Sequence, residues 1–281
     1  MMNRRNTRAV NSAGVICKHT ILVVGALISI FPFIWMVLTA FKPEPETLLW
    51  PPRVLPMEPT WQNFINIFTR WPFHRFFLNS FIFAGVSTLT ILLTSSAAGY
   101  AFAKIRFWGR DLLFFIFLAT MILPFETYMI PVYLLVNKLG WINTYQGLIL
   151  PFVIMSFGLF LMRQTIQSIP DELIDAARVD GCSEFRIYRD LILPLSKGSL
   201  SALAIYAFVS VYGFFTWPLV VTTTQDMYTT ELGLAMFQKA FFTEYALSMA
   251  GAAVTSLPLI FLFLFFQRNI ITGITLTGLK G

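Results

Sequence analysis

The densest group of side chains able to do chemistry in this 281-residue chain lies between residues 163 and 197. Arg163, Arg178, Arg186, Arg189 and Lys197 stand there with Asp171, Glu172, Asp175, Asp180, Glu184 and Asp190, five positive charges against six negative. A segment with acids in slight excess cannot neutralise phosphates, which argues against the DNA reading that two short helices around a glycine would otherwise invite. Docking onto a protein is one reading. The other is a linker of short helices lying on a membrane surface. Ser168 is placed to cap a first helix whose opening turn holds Pro170, Asp171 and Glu172, where acids favour the positive end of the dipole, and Gly181 stops it. Leu173, Ile174 and Ala177 fall on one stripe of that helix. Ser183 is placed to cap a second one carrying Phe185, Tyr188, Leu191 and Ile192 before Pro194.

Other chemistries lack their parts. His19 and His74 are the only histidines, and the topology derived below puts them on opposite sides of the first span, so they form neither a metal site nor an acid–base relay. Gly273 to Gly278 has the spacing of a phosphate loop, but Leu279 takes the place of the required lysine. Cys17 and Cys182 match no metal or redox spacing. Glu126 is the one acid interrupting an otherwise apolar block, between Pro124 and Pro131. A broken helix with an ionisable group suits a transport pathway, and a solvated position at the outer interface is the alternative. Tyr128, Tyr206, Tyr212, Phe215 and Trp217 could offer faces and hydroxyls to a passing solute, or could be plain packing.

The elements that would position these residues follow from composition. Apolar residues make up 57% of the chain and charged ones 12%, against about 25% charged in a soluble domain. Apolar stretches fall at about 20–41, 76–103, 112–134, 142–162, 198–223 and 245–267. Each is long enough to cross about 30 Å of hydrocarbon as a helix, and none has the alternation of a barrel strand. This reads as an all-α integral membrane protein, a single transmembrane domain over 1–281 with six spans. With the N-terminus placed in the cytoplasm, 14 of the 20 basic residues flank spans on that side, so both termini are expected to be cytoplasmic. The net charge of +6 is then a topology signal, and nucleic acid is not an expected partner. The opening apolar run exceeds a signal peptide's and reads as an uncleaved span. The 42–75 segment lies outside, where Pro43, Pro45, Pro51, Pro52, Pro56 and Pro59 forbid a continuous helix and predict an extended crossing. Its Trp50, Trp61 and Trp71 suit an interfacial belt or, alternatively, a sugar-stacking surface. In the second span, Ser95 with Gly99, or Ala97 with Ala101, offers a small face for another helix backbone. The 163–197 loop and the 268–281 tail fall inside.

The stretch from Glu172 through Asp175, Ala176, Ala177, Arg178 and Asp180 to Gly181, followed by Leu191-Ile-Leu-Pro194, resembles the EAA loop of binding-protein-dependent ABC importer permeases. Further similarities run through Phe31-Pro-Phe, Ala40-Phe-Lys-Pro43, Asn79-Ser80, Ala98-Gly-Tyr-Ala101, Phe107-Trp-Gly-Arg110, Trp217-Pro-Leu219 and the ending Gly273 to Gly281. The pattern is similar to the carbohydrate-uptake branch, of the maltose-permease (MalG) type. Asp175 stands where Glu is usual, Ala40 where Ser is common, and Tyr212-Gly213 where Trp-Asn is frequent. The resemblance implies a six-helix bundle of the type I ABC importer kind in the cytoplasmic (inner) membrane. It implies partners: a second homologous permease, two ATPase subunits that use the ATP, and an extracytoplasmic solute-binding protein. It also implies a carbohydrate or polyol substrate and no cofactor on this chain. The loop helix would insert into a cleft of the ATPase, with Gly181 making the turn and Asp175 and Arg178 making charged contacts there, and the tail, with Gly278 and Lys280, would reach the ATPases too. The alternative from the residues alone is an ion-driven secondary transporter or channel with Glu126 as its switch.

Overall fold

The computed structural model describes residues 4–237 and 244–278, with side chains described over 18–237 and 244–266. Among these the secondary structure is helical, without a strand. Fifteen α-helical segments follow in order: α1 (Arg4–Ala40), α2 (Glu44–Thr47), α3 (Gln62–Thr69), α4 (Phe73–Lys104), α5 (Arg110–Thr120), α6 (Phe125–Lys138), α7 (Tyr145–Ile149), α8 (Ser156–Gln167), α9 (Asp171–Val179), α10 (Glu184–Ile187), α11 (Leu193–Leu195), α12 (Lys197–Tyr212), α13 (Thr216–Val221), α14 (Thr230–Ala235) and α15 (Tyr245–Gly278). A π-helical turn over Tyr188–Ile192 joins α10 to α11.

Three helices are long and apolar enough to cross a membrane: Lys18–Ala40 within α1, α4, and Tyr245–Phe266 within α15. Three further spans are possible if bent pairs each count as one. The third apolar block breaks after Thr120, because Pro124 ends one helix and begins the next, and α5 and α6 meet at 101°. Pro131 leaves α6 unbroken. The fourth block bends by 46° between α7, with its 3-10 extension, and α8. The fifth is helical only to Tyr212, pauses at Gly213, and resumes as α13.

The described residues of Met1–Trp71 and Met236–Thr255 form one compact unit, and those of Pro72–Ala235 and Ser256–Gly281 a second. In the first, the proline-rich segment is not the simple extended crossing its sequence predicts, since it holds α2 and α3. The buried Asn63 of α3 donates to the carbonyls of Ala40 and Lys42, both at 2.8 Å, and so ties the segment back to the end of α1. Glu44 accepts from the backbone N–H groups of Tyr245 and Ala246 (2.6 and 2.9 Å), a carboxylate at a helix N-terminus. Trp50 is almost fully exposed, Trp61 packs edge-on against Phe41, and Trp71 lies against Phe237.

The second unit is built on α4, which packs against both α8 and α12. Phe83, Ile91, Met162, Ile166, Leu203, Ala207 and Trp217 are buried in its core. The small face of α4 is the Ser95–Gly99 one. A Cβ on Gly99 would lie 2.7 Å from the Met162 Cβ and 3.0 Å from the Arg163 nitrogen, so only glycine lets α8 come this close. Gly158 of α8 faces Ser95 in the same way, whereas Ala97 is exposed.

Candidate functional site

The 163–197 loop begins where α8 ends at Gln167. Ser168 does not cap the next helix as its sequence position suggests. It caps α8 from behind, its hydroxyl donating to the Thr165 carbonyl at 2.7 Å, and Pro170 takes the N-cap position of α9. Proline confines the residue before it to extended conformations, so the helix boundary falls at Pro170. Asp171 and Glu172 occupy the first turn of α9 and Arg178 its last, complementing the dipole at both ends.

Gly181 is left-handed, at φ +77°. Its N–H donates to the Arg178 carbonyl and that of Cys182 to the Ala177 carbonyl, both at 3.0 Å, the paired bonds of a Schellman stop. Ala177 and Cys182 each pack against the core beneath the turn. Ser183 caps α10 as expected, accepting from Arg186 N–H at 3.4 Å. The second helix is not regular: the Leu193 N–H reaches back five residues to Tyr188, which spares the helix the hydrogen bond that Pro194 cannot give. Pro194 itself is exposed.

On α9, Ile174 is buried and Ala177 half-buried, but Leu173 turns outward with Glu172, Asp175, Ala176, Val179 and Asp180. Val179 and Phe185 are largely exposed, so this face presents apolar area among charges that the described residues leave uncovered. The inward side is tied to α4. Tyr100 donates to a Glu184 carboxylate oxygen at 2.5 Å, the other oxygen accepts from Arg178 Nε at 2.8 Å, and Arg178 also reaches Asp175 at 3.1 Å. The Arg178 guanidinium first, and the Tyr100 hydroxyl second, hold the Glu184 carboxyl below the usual carboxylate range. Lys104, its side chain buried, donates to the Ile169 carbonyl and pairs with Asp171, whose carboxyl it lowers. The Ser96 and Tyr188 hydroxyls meet at 2.7 Å. Beside them lies a polar cleft of about 610 Å³ lined by Lys104, Arg106, Arg110, Asp171, Arg178 and Glu184.

Ser96, Tyr100 and Lys104 were not legible as a set, although polar groups at i, i+4 and i+8 on an otherwise apolar helix were the signal available. The aromatic candidates for a solute pathway divide. Tyr128, Tyr206 and Phe215 are exposed, and so is Glu126, in the first turn of α6. Tyr212 and Trp217 are fully buried. The Trp217 indole N–H is shared between the carbonyls of Gly147 and Leu148 (3.1 and 3.2 Å), and so this chain offers a solute neither residue. Residues 273–278 are helical within α15; Gly278 is its last residue, and Lys280 lies outside the described residues.

Comparison with known proteins places this geometry. The family described as the binding-protein-dependent transport system inner membrane component matches residues 91–275. The arabinooligosaccharides transport system permease protein AraQ of Halalkalibacterium halodurans is 38% identical over 263 residues, covering 91% of this chain and 93% of the relative. The trehalose/maltose transport system permease protein MalG of Thermococcus litoralis is 32% identical over 275 residues, covering 95% and 98%. In fold the chain is similar to a crystal structure of a bacterial ABC transporter involved in the import of the acidic polysaccharide alginate. There the TM-score is 0.81 at 20% identity, over 92% of this chain and 97% of the other. The chain belongs to the family of binding-protein-dependent transport system inner membrane components.

Proposed function

We propose that this chain is a permease subunit of an ATP-driven, binding-protein-dependent importer that carries a carbohydrate across the cytoplasmic membrane. The observation that carries the reading is the α9–Gly181–α10 unit. Its outer face is bare, its inner face is bonded to α4, and it lies inside the family match. The carbohydrate class rests on the relatives, whose names specify arabinooligosaccharides and trehalose/maltose.

In this reading the chain crosses the membrane six times, each bent helix pair counting as one span, with both termini in the cytoplasm. It works beside a second permease subunit, two ATPases and an external solute-binding protein. The ATPases hydrolyse the ATP, and this chain binds no cofactor. Glu172, Asp175, Ala176, Asp180 and the turn at Gly181 meet the ATPase, Ala177, Arg178 and Pro194 hold the loop's shape, and the tail with Gly278 and Lys280 reaches the same partners. Glu126, Tyr128, Tyr206 and Phe215 are the exposed candidates for the solute path. A receptor bound outside and ATPase closure inside would bias the same two-state bundle, the loop carrying the bias.

The test is purification in mild detergent, identification of what co-elutes, and uptake by the reconstituted complex. Recovery of an ATPase and a second permease, with uptake that needs ATP and the binding protein, is the expected result. Ion-driven uptake by this chain alone, abolished by Glu126→Gln, would overturn it.

A further inference from the structure

If the loop receives the ATPase's motion, something must carry that motion to the far side of the membrane. Two clusters single out the carrier. At one end of α4, Ser96, Tyr100 and Lys104 stand on successive turns, and each grips a different part of the loop. Ser96 holds Tyr188 in the π-helical turn, Tyr100 holds Glu184 on α10, and Lys104 holds Ile169 and Asp171 at the head of α9. Glu184 is the hub, because its second oxygen holds Arg178 and so lashes α9 to α10. A push on the exposed face of α9 therefore reaches α4 through two consecutive hydrogen bonds, both charge-assisted.

At the opposite end, α4 grips a second segment, residues 224–235. Asn79 donates to the carbonyls of Asp226 and Tyr228 (2.7 and 2.9 Å) and accepts from the Tyr145 hydroxyl at 2.6 Å. The Ser80 hydroxyl lies 3.0 Å from that of Thr230 and accepts from its N–H at 2.9 Å. Arg75 pairs with Asp226, and Gly233 leaves room for the Phe76 ring where a Cβ would collide. From Asn79 to Tyr100 the helix runs about 32 Å, enough to cross the hydrocarbon. Near the loop end of that length, at Ser95–Gly99, it is pressed on α8 without room for a methyl group.

We propose that α4 is a rigid transmission rod between the 163–197 loop and the 224–235 segment, and that Tyr100 and Glu184 are positioning residues that keep the loop attached to it throughout transport. The inference rests on the importer reading. It makes the 224–235 segment the part of this chain that responds to the ATPase on the receptor's side.

The test uses the complete complex, with ATPases and binding protein, in proteoliposomes, and measures solute moved per ATP hydrolysed. Tyr100→Phe and Glu184→Gln are each expected to keep the co-purified ATPase and its hydrolysis while transport per ATP falls about tenfold, the factor matching one lost charge-assisted hydrogen bond. The double variant should be no worse than the poorer single one, since both act in one path. Loss of hydrolysis or of co-purified ATPase in step with uptake would reduce the contact to ordinary packing and overturn the proposal. A second measurement places cysteines at 100 and 184, with Cys17 and Cys182 replaced by serine, and bridges them with a short bifunctional thiol reagent. Before bridging, this variant should show the coupling loss of the single variants; the bridge should restore transport per ATP, and abolition of uptake by the bridge would mean that the contact must open and would overturn the proposal. ATP-independent uptake by the unaltered complex would instead remove the importer reading, and with it the load that α4 carries.

Discussion

α1 and α4 both pass as membrane spans, yet they are different kinds of helix. The most apolar stretch of α1 has a mean hydropathy of 2.6 and none of it is buried by its own chain, while that of α4 has 1.9 and is 44% buried. Leu22, Leu27, Ile28 and Phe31 of α1 stand exposed, while Asn79, Ser80 and Ser96 of α4 are buried and hydrogen-bonded. The less apolar helix is the one whose side chains its own unit buries. Lipid pays nothing to a polar group, so hydroxyls and carboxamides sit where protein can bond them, and the most apolar surface is left for lipid or a partner subunit.

That contrast can be broken most severely with glycine. Gly99→Leu should abolish folded protein in detergent, and Gly99→Ala should cost about 1–3 kcal/mol, because α8 must move away. Gly25→Leu in α1, where nothing lies within 4 Å, should leave thermal unfolding unchanged. Equal behaviour of the two leucine variants would erase the distinction. Next in size is Gly181→Val. Nothing crowds that Cβ position either, but the left-handed backbone costs a side chain about 1–2 kcal/mol, so the chain should insert normally while transport falls at least about tenfold. Wild-type uptake would show that the sharp turn is dispensable.

A smaller effect is expected from pH. The folded Glu184 carboxyl is lowered, so its contribution is fully present above the ordinary carboxylate value of about 4.3 and is lost as pH falls through the lower folded value. Intrinsic-rate-corrected amide exchange in α9 and α10 should be flat from about pH 8 to pH 5 and rise only below about pH 4. Loosening near neutral pH would point to a group other than this carboxylate. The smallest change should come from Leu27→Ala in α1, within about 0.5 kcal/mol of wild type in detergent, since that side chain touches little of its own chain.

Much of this was legible in the sequence because it is local. The block at 76–103 matches α4 within a few residues, Gly181 and Ser183 do the turn and cap work their types predict, and the Ser95–Gly99 face is a tight contact. Sequence and structure part where two local signals compete, as at Ser168, where the Pro170 boundary overrides the serine cap. The third block shows the same effect, since only one of its two prolines breaks the helix. What was illegible is non-local. The partners of Ser96, Tyr100 and Lys104 lie 92, 84 and 67 residues away, and those of Asn79 and Ser80 about 150. No periodicity within a window reports a bond across that distance. The burial of the Trp217 side chain is likewise decided by distant chain, here the Gly147 and Leu148 carbonyls that hold its indole N–H.

The π-helical turn at Tyr188–Ile192 takes one residue more than an ordinary turn to close, and the wider turn absorbs it, so α10 and α11 keep nearly the phase of an uninterrupted α-helix. A residue inserted or deleted elsewhere in this stretch meets no such slack and would rotate Glu184 by about 100° about the helix axis, away from Tyr100. The turn is thus a point of tolerance, where the chain can lose a residue without re-aiming the carboxylate that ties the loop to α4.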